Sequence, residues 1–234
     1  MKIEGSVALV TGANRGLGKA FAEALLAAGA RKVYAAARNP AGITAPGVEA
    51  LALDVTREDQ IAAAAAACGD LTLLINNAGV ALAQPLLTAP DLSGMRAEFE
   101  TNVYGPLNLS RAFAPVLKAN GGGAVVNILS ALSWISFPQL GGYCASKSAA
   151  WSLTNNLRLA LRPQGTQVIG VHVAYMDTDM ARHVDGPKTR PEELVRQVFA
   201  ALAEGREEVL VDEATRQLKR GLAAEPPVYL RGLG

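Results

Sequence analysis

The sequence predicts an α/β protein built on a doubly wound, mostly parallel sheet with helices on both faces. Three observations carry the prediction. Short apolar runs alternate with longer helical stretches along the chain, most of those runs are continuously apolar, and the first ends in a glycine-rich turn that opens a helix. A strand covered on both faces reads as an unbroken apolar run, whereas a strand with one wet face alternates. Strand and helix in regular succession give parallel strands joined by right-handed crossovers.

Seven strands are read in order: VALV at 7–10, KVYAAA at 32–37, VEALAL at 48–53, LTLLI at 71–75, AVVNIL at 124–129, QVIGVHV at 167–173 and EEVLV at 207–211. Helical stretches lie at 16–29, 57–67, 97–118, 143–161 and 191–203. The first is rich in Ala and Leu and closed by Gly29, and the last opens with Pro191, where a missing N–H is harmless. The alanine tract at 62–67 is a run of the strongest helix former rather than low complexity. In AAEPPVYLRGLG, Pro226 and Pro227 end the last helix and leave a C-terminal arm that can pack on a neighbouring subunit.

With 234 residues, of which 50% are apolar and 18% charged, residues 1–234 read as a single packed domain. A net charge of +1 gives no electrostatic grip on nucleic acid or an anionic membrane. No apolar run is long enough for a signal-peptide core or a membrane span, so a soluble, cytoplasmic protein is expected. Cys68 and Cys144 lack metal-ligand spacing and read as small buried residues, and no metal site is expected.

The turn TGANRGLG places Gly12, Gly16 and Gly18 directly after the first strand. Bare backbone lets N–H groups approach an anion, and a helix N-terminus favours negative charge. In a strand–turn–helix context this points to the pyrophosphate of a dinucleotide, on a Rossmann-type sheet that binds ligands at the C-terminal ends of its strands. The acid that would hold the ribose of NAD about 20 residues further on is missing. The second strand ends instead in Ala36, Ala37 and Arg38. Arg38, with Arg15 inside the turn, suits the 2′-phosphate of NADP(H), so NADP(H) is preferred over NAD(H). Solvated surface charge is the plain alternative for both arginines. Asp54 either accepts from an adenine amino group or caps the helix that follows, with Thr56 as a second candidate cap.

Tyr143 and Lys147 stand four apart in YCASK, on one face of a helix. A phenol with a pKa of about 10 carries protons poorly at neutral pH unless a positive charge favours its anion, which Lys147 can supply. Ser130 closes a strand at the edge where the cofactor is expected. Each of the three also has an ordinary structural reading, as core, surface and turn residue.

Together, TGANRGLG, DVT at 54–56, NNAG at 76–79, Asn102 in TNVYG, Ser130 and YCASK at 143–147 closely resemble the classical short-chain dehydrogenase/reductase family. The match is in order, covers about residues 5–180 and includes the thirteen-residue step from Ser130 to Tyr143. The resemblance implies an NADP(H)-dependent oxidoreductase of the carbonyl reductase or alcohol dehydrogenase kind. Tyr143 would be the acid/base, and Lys147 would lower its pKa and hold the nicotinamide ribose. Ser130 would polarise the substrate carbonyl, and Asn102 would support a water linking Lys147 to a proton relay. The cofactor would lie along Gly12, Asn14, Arg15, Gly16, Leu17 and Gly18, then Arg38, Asp54, Val55, Asn77, Ala78 and Gly79, with Thr178 on the carboxamide.

The chain also departs from the family pattern. Val173 and Ala174 stand where Pro-Gly is usual, Leu129 replaces a common serine, and the lid at 181–190 is short. A short lid implies an open pocket for varied carbonyl compounds. Trp134, Ile135 and Phe137 can wall an apolar pocket or simply pack, and Met180 and His183 belong to the lid side of it. His172 reads as structural, and Cys144 as a packed thiol beside Tyr143. By resemblance the helices at 97–118 and 143–161 pack subunits into a homodimer or homotetramer. Two other readings stay open: an NADP(H)-binding sensor without turnover, which would not need a tuned phenol, and another reaction on this scaffold, such as epimerisation or dehalogenation.

Overall fold

A computed structural model describes residues 1–179, 182 and 185–231. The strands are β1 (Val7–Thr11), β2 (Lys32–Ala37), β3 (Glu49–Ala52), β4 (Leu73–Asn76), β5 (Ala124–Ile128), β6 (Gln167–His172) and β7 (Glu208–Leu210). They form one sheet in the order β3-β2-β1-β4-β5-β6-β7, and every pairing is parallel, where the sequence promised only a mostly parallel sheet. Strand order reverses between β1 and β4, so a crevice opens beyond their C-terminal ends.

Successive strand residues face opposite sides, and the apolar runs therefore feed two cores. Val10, Ile75 and Val126 pack under α1 (Gly16–Ala27) and α6 (Pro191–Glu204) with Phe21, Leu25, Leu194 and Val198. Leu9, Leu74 and Val125 face α2 (Glu58–Ala67), α4 (Gly105–Ala119) and α5 (Gly141–Leu161) through Ile61, Leu109, Phe113 and Leu157. Each fully buried Leu or Phe stabilises the fold by about 1.5–3 kcal/mol. β3 departs from the two-face rule, because it is an edge strand and Glu49, Ala50 and Ala52 are exposed.

The helix read at 97–118 is three pieces: α3 (Ser93–Phe99), a π-helical turn over Glu100–Tyr104, and α4. Pro106 gives the reason. It lacks the N–H that would close an α-turn on the Asn102 carbonyl, and its ring crowds that carbonyl, so the turn widens. Two short helices follow β7, α7 (Glu213–Gly221) and α8 (Val228–Arg231). The last long turn thus ends at Gly221, before Pro226 and Pro227, and Val228 folds back to where a Cβ on Gly221 would lie 3.0 Å from its own Cβ. Asp212 starts α7 by accepting from Thr215 N at 2.7 Å, while its other oxygen accepts from Ala174 N at 2.9 Å. That second bond fixes the backbone where the usual Pro-Gly is missing.

Candidate active site

The glycine turn is built by close approach. Gly12 and Gly16 have φ of +66° and +53°, in the left-handed region that favours glycine. A Cβ on Gly18 would fall 2.2 Å from the Gly12 carbonyl oxygen, so only hydrogen fits there. Arg15 occupies the N-cap of α1 without capping it by its side chain, and no acid lies in the first turn. The N–H groups of that turn are thus available to an anion, which fits a pyrophosphate. Asn14 is exposed at the turn and Leu17 is buried beneath it. A Cβ on Gly16 would touch the Thr178 methyl at 3.3 Å, so Thr178 lies against the turn.

Thr11 locks this turn to the end of β4. Its hydroxyl accepts from Asn77 N and Ala78 N, each at 3.0 Å, and Asn77 Nδ2 donates back to the Thr11 carbonyl at 2.8 Å. Gly79 follows, and a Cβ there would meet Asn102 Oδ1 at 3.2 Å and Lys147 Nζ at 3.8 Å. The side chain of Asn102, buried in the π turn, holds Val80 in both directions at 2.9 Å and donates to Ser146 Oγ at 3.0 Å. Asn102 therefore acts through its neighbours, and its amide is committed to them.

α5 brings Tyr143 and Lys147 to the C-terminal edge of β5. Lys147 is buried, and its Nζ donates to the Ile128 carbonyl at 2.9 Å. Ser130, two residues on, caps a short 3-10 turn by accepting from Leu132 N at 3.1 Å. Lys147 Nζ lies 5.7 Å from the centre of the Tyr143 ring. Burial pushes the phenol up to about 12, with a hydrogen bond to Ser130 working against it, and burial also pushes the Lys147 ammonium down to about 8.

The residues expected around the adenosine are placed less uniformly. Arg38 is exposed at the end of β2 and has no salt-bridge partner among the described residues. Arg15 pairs with Asp179 at 2.9 Å. Asp54 is neither a helix cap nor wholly free: its Oδ1 accepts from Thr56 N at 3.0 Å and Thr56 Oγ1 at 2.8 Å. Arg57 takes the N-cap position of α2, so Thr56 is not the cap either. Val55 is buried against Gly105, where a Cβ would come within 3.0 Å of its methyl.

Of the pocket residues, Phe137 is half-buried at the start of a short 3-10 turn. Trp134 takes the packed arrangement. Its ring is buried and stacks on His172 with centroids 4.1 Å apart, because a large apolar surface beside a buried strand packs inward. Met180 and His183 lie outside the described residues, and the lid expected at 181–190 is described only at 182 and 185–190. Thr189 closes that segment against Met176 through an isolated bridge.

Sequence reasoning missed Ser146, Asp179 and Glu98. The last is buried, its Oε1 accepts from Leu82 N at 2.8 Å, and burial raises its pKa. Ser146 sits inside YCASK and was legible as a polar residue one turn after Gly142; nothing local marks Asp179.

A phosphate-fitting turn, a crevice at the strand-order reversal and a Ser–Tyr–Lys group beside it define a dinucleotide-binding oxidoreductase of the α/β class. The chain belongs to the short-chain dehydrogenase family, whose model matches residues 6–188. It is 37% identical over 188 residues to D-erythrulose reductase of Gallus gallus, covering 78% of this chain and 76% of that one. A short-chain dehydrogenase from Burkholderia cenocepacia in complex with NADP is 45% identical, with 97% of this chain and 96% of that chain covered and a TM-score of 0.92. Another, from Burkholderia phymatum in complex with NAD, is 27% identical, covering 100% and 99%, with a TM-score of 0.87. Related structures thus hold either nicotinamide cofactor.

Proposed function

We propose that this chain interconverts a carbonyl compound and its alcohol with NADP(H) in preference to NAD(H), as a carbonyl reductase or alcohol dehydrogenase. The observation that carries the reading is the convergence of Ser130, Tyr143 and Lys147 at the crevice beside an uncapped, acid-free glycine turn. When bound, the cofactor supplies or accepts the hydride. Gly12, Asn14, Gly16, Leu17 and Gly18 would hold its pyrophosphate, Asp54, Val55 and Asn77–Gly79 its adenosine side, and Thr178 its carboxamide. Arg38, which is exposed, would take the 2′-phosphate, with Arg15 joining once it leaves Asp179.

The protein's own groups do the proton work. A phenol whose pKa is pushed up to about 12 is protonated at neutral pH, and it donates to the carbonyl oxygen as that oxygen becomes an alkoxide. Ser130 holds the same oxygen. Lys147, buried next to the phenol, stabilises the phenolate that the donation leaves, and Asn102 keeps Val80 and Ser146 in place around it. The NADP-bound relative at 45% identity supports the choice of NADP(H), and the D-erythrulose reductase relative supports a small oxygenated substrate. A cytoplasmic homodimer or homotetramer completes the reading, from composition and family resemblance.

The test follows NADPH and NADH absorbance with purified protein and a panel of aldehydes, ketones and diketones. Turnover with NADPH in preference to NADH is the expected outcome. Tight NADPH binding without turnover on any substrate would replace this reading with that of a sensor.

A further inference from the structure

His172 is wholly buried in β6, and its Nδ1 lies 3.0 Å from the Ser130 carbonyl oxygen. A carbonyl only accepts, so Nδ1 carries the hydrogen and the neutral ring keeps its lone pair on Nε2. Among the described residues Nε2 has no hydrogen-bond partner. Glu208 Oε1 is 3.8 Å from it, but that carboxylate is engaged by Lys219 Nζ at 2.9 and 3.1 Å. The imidazole therefore has one bond, and it goes to Ser130.

The ring is held in that orientation from three elements. Trp134, four residues after Ser130, stacks on it with planes 22° apart. Trp151, one helical turn beyond Lys147 on α5, meets Trp134 edge-on at 6.2 Å. Lys219 of α7 stands over both indoles, at 4.8 and 5.8 Å from their ring centres. One cluster thus ties the Ser130 loop to the helix that carries Tyr143 and Lys147.

We propose that His172 is a positioning residue for Ser130, clamping the carbonyl of the residue whose hydroxyl orients the substrate oxygen. The proposal rests on the role given to Ser130 above. Leu129 N and Ala131 N are already bonded to Val171 and Val173, and Ser133 N bonds the Ser130 carbonyl at 3.0 Å. The His172 donor gives that carbonyl its second partner and fixes the peptide plane, and with it the direction of the Ser130 side chain. Misplacement of a reacting group by 1 Å is enough to slow a reaction by about 100-fold.

The experiment is a double-mutant cycle between position 172 and Ser130→Ala, with kcat, carbonyl KM and NADPH affinity read for each protein. His172→Phe keeps the stacking and removes the donor; His172→Asn keeps a donor where Nδ1 stood. His172→Phe is expected to lower kcat by about 10- to 100-fold with NADPH affinity unchanged. His172→Asn should restore most of that, and His172→Phe should add no further loss in the Ser130→Ala background. An equal loss in both backgrounds, or no loss in a folded His172→Phe protein, overturns the proposal. If Ser130→Ala itself leaves kcat unchanged, the role of Ser130 fails first and the proposal with it. Nitrogen NMR of the wild-type imidazole needs no variant: an Nδ1–H tautomer is expected at neutral pH, and an Nε2–H tautomer contradicts the clamp.

Discussion

Arg15 of the glycine turn and Asp179 form an ion pair at 2.9 Å, although 164 residues of sequence separate them. The pair joins the glycine turn to the segment that follows β6, and Asp179 also pairs with Arg182. Arg15 is 70% exposed and Asp179 48%, so the pair itself adds little to stability. Its consequence lies in cofactor choice, because an arginine held by a carboxylate is less available to a phosphate.

Asp179→Asn should therefore raise the NADPH preference over NADH by about 2- to 5-fold, the size of a surface pair. Arg38→Ala should weaken NADPH by about 10- to 100-fold and leave NADH unchanged, since one charge-assisted phosphate contact is lost. Calorimetric titration of both cofactors measures the ratio. An unchanged ratio in Arg38→Ala would remove the 2′-phosphate reading.

Gly18→Ala places a methyl group 2.2 Å from the Gly12 carbonyl oxygen, and backbone cannot swing aside as a side chain can. A loss of about 1–3 kcal/mol is expected from overpacking of this kind, together with weakened binding of either cofactor. Denaturant titration and cofactor fluorescence read the two effects; a stable, cofactor-binding variant would show that the turn is not as tight as described.

Asn102→Ala strips both bonds from Val80 and leaves its peptide groups without their side-chain partner. The expected destabilisation is about 1–3 kcal/mol, the desolvation cost of unsatisfied buried groups. Asn102→Asp keeps the acceptor for Val80 N but turns a carboxylate oxygen onto the Val80 carbonyl, so it should melt no higher than Asn102→Ala.

How much of this was legible in the sequence follows the range of the forces involved. Apolar runs and the glycine turn are local, so the sheet, its switch point and the positions of Gly12, Gly18, Ser130, Tyr143 and Lys147 could be read directly. The π turn at Asn102 was not, because helical periodicity hardly changes over one widened turn; Pro106, four residues on, was the available signal. Whether Trp134 walls a pocket or packs stayed open, because sequence does not say which way a loop aromatic turns, and its partners His172, Trp151 and Lys219 come from three distant elements. Arg15–Asp179 and the burial of Glu98 are likewise tertiary facts. The Tyr143–Lys147 spacing was right, but spacing carries no information on burial, and burial sets both of their pKa values.

Buried His172 makes stability depend on pH. Burial lowers its pKa from 6.5 to about 4, so the unfolded chain binds more protons between those values. Stability should be fully present above pH ~6.5 and fall by about 3 kcal/mol as pH drops through 4, given about 1.4 kcal/mol for each pKa unit. His172→Asn should remove most of that slope in urea titrations across the same range, and an identical slope in the variant would assign it elsewhere.

Tyr143→Phe tests the proposed chemistry most directly, because it deletes one hydroxyl and keeps the ring. NADPH oxidation with a carbonyl substrate accepted by the wild type should fall by at least about 100-fold, while NADPH affinity stays within about twofold. Turnover that survives the substitution within a few-fold would contradict Tyr143 as the proton donor.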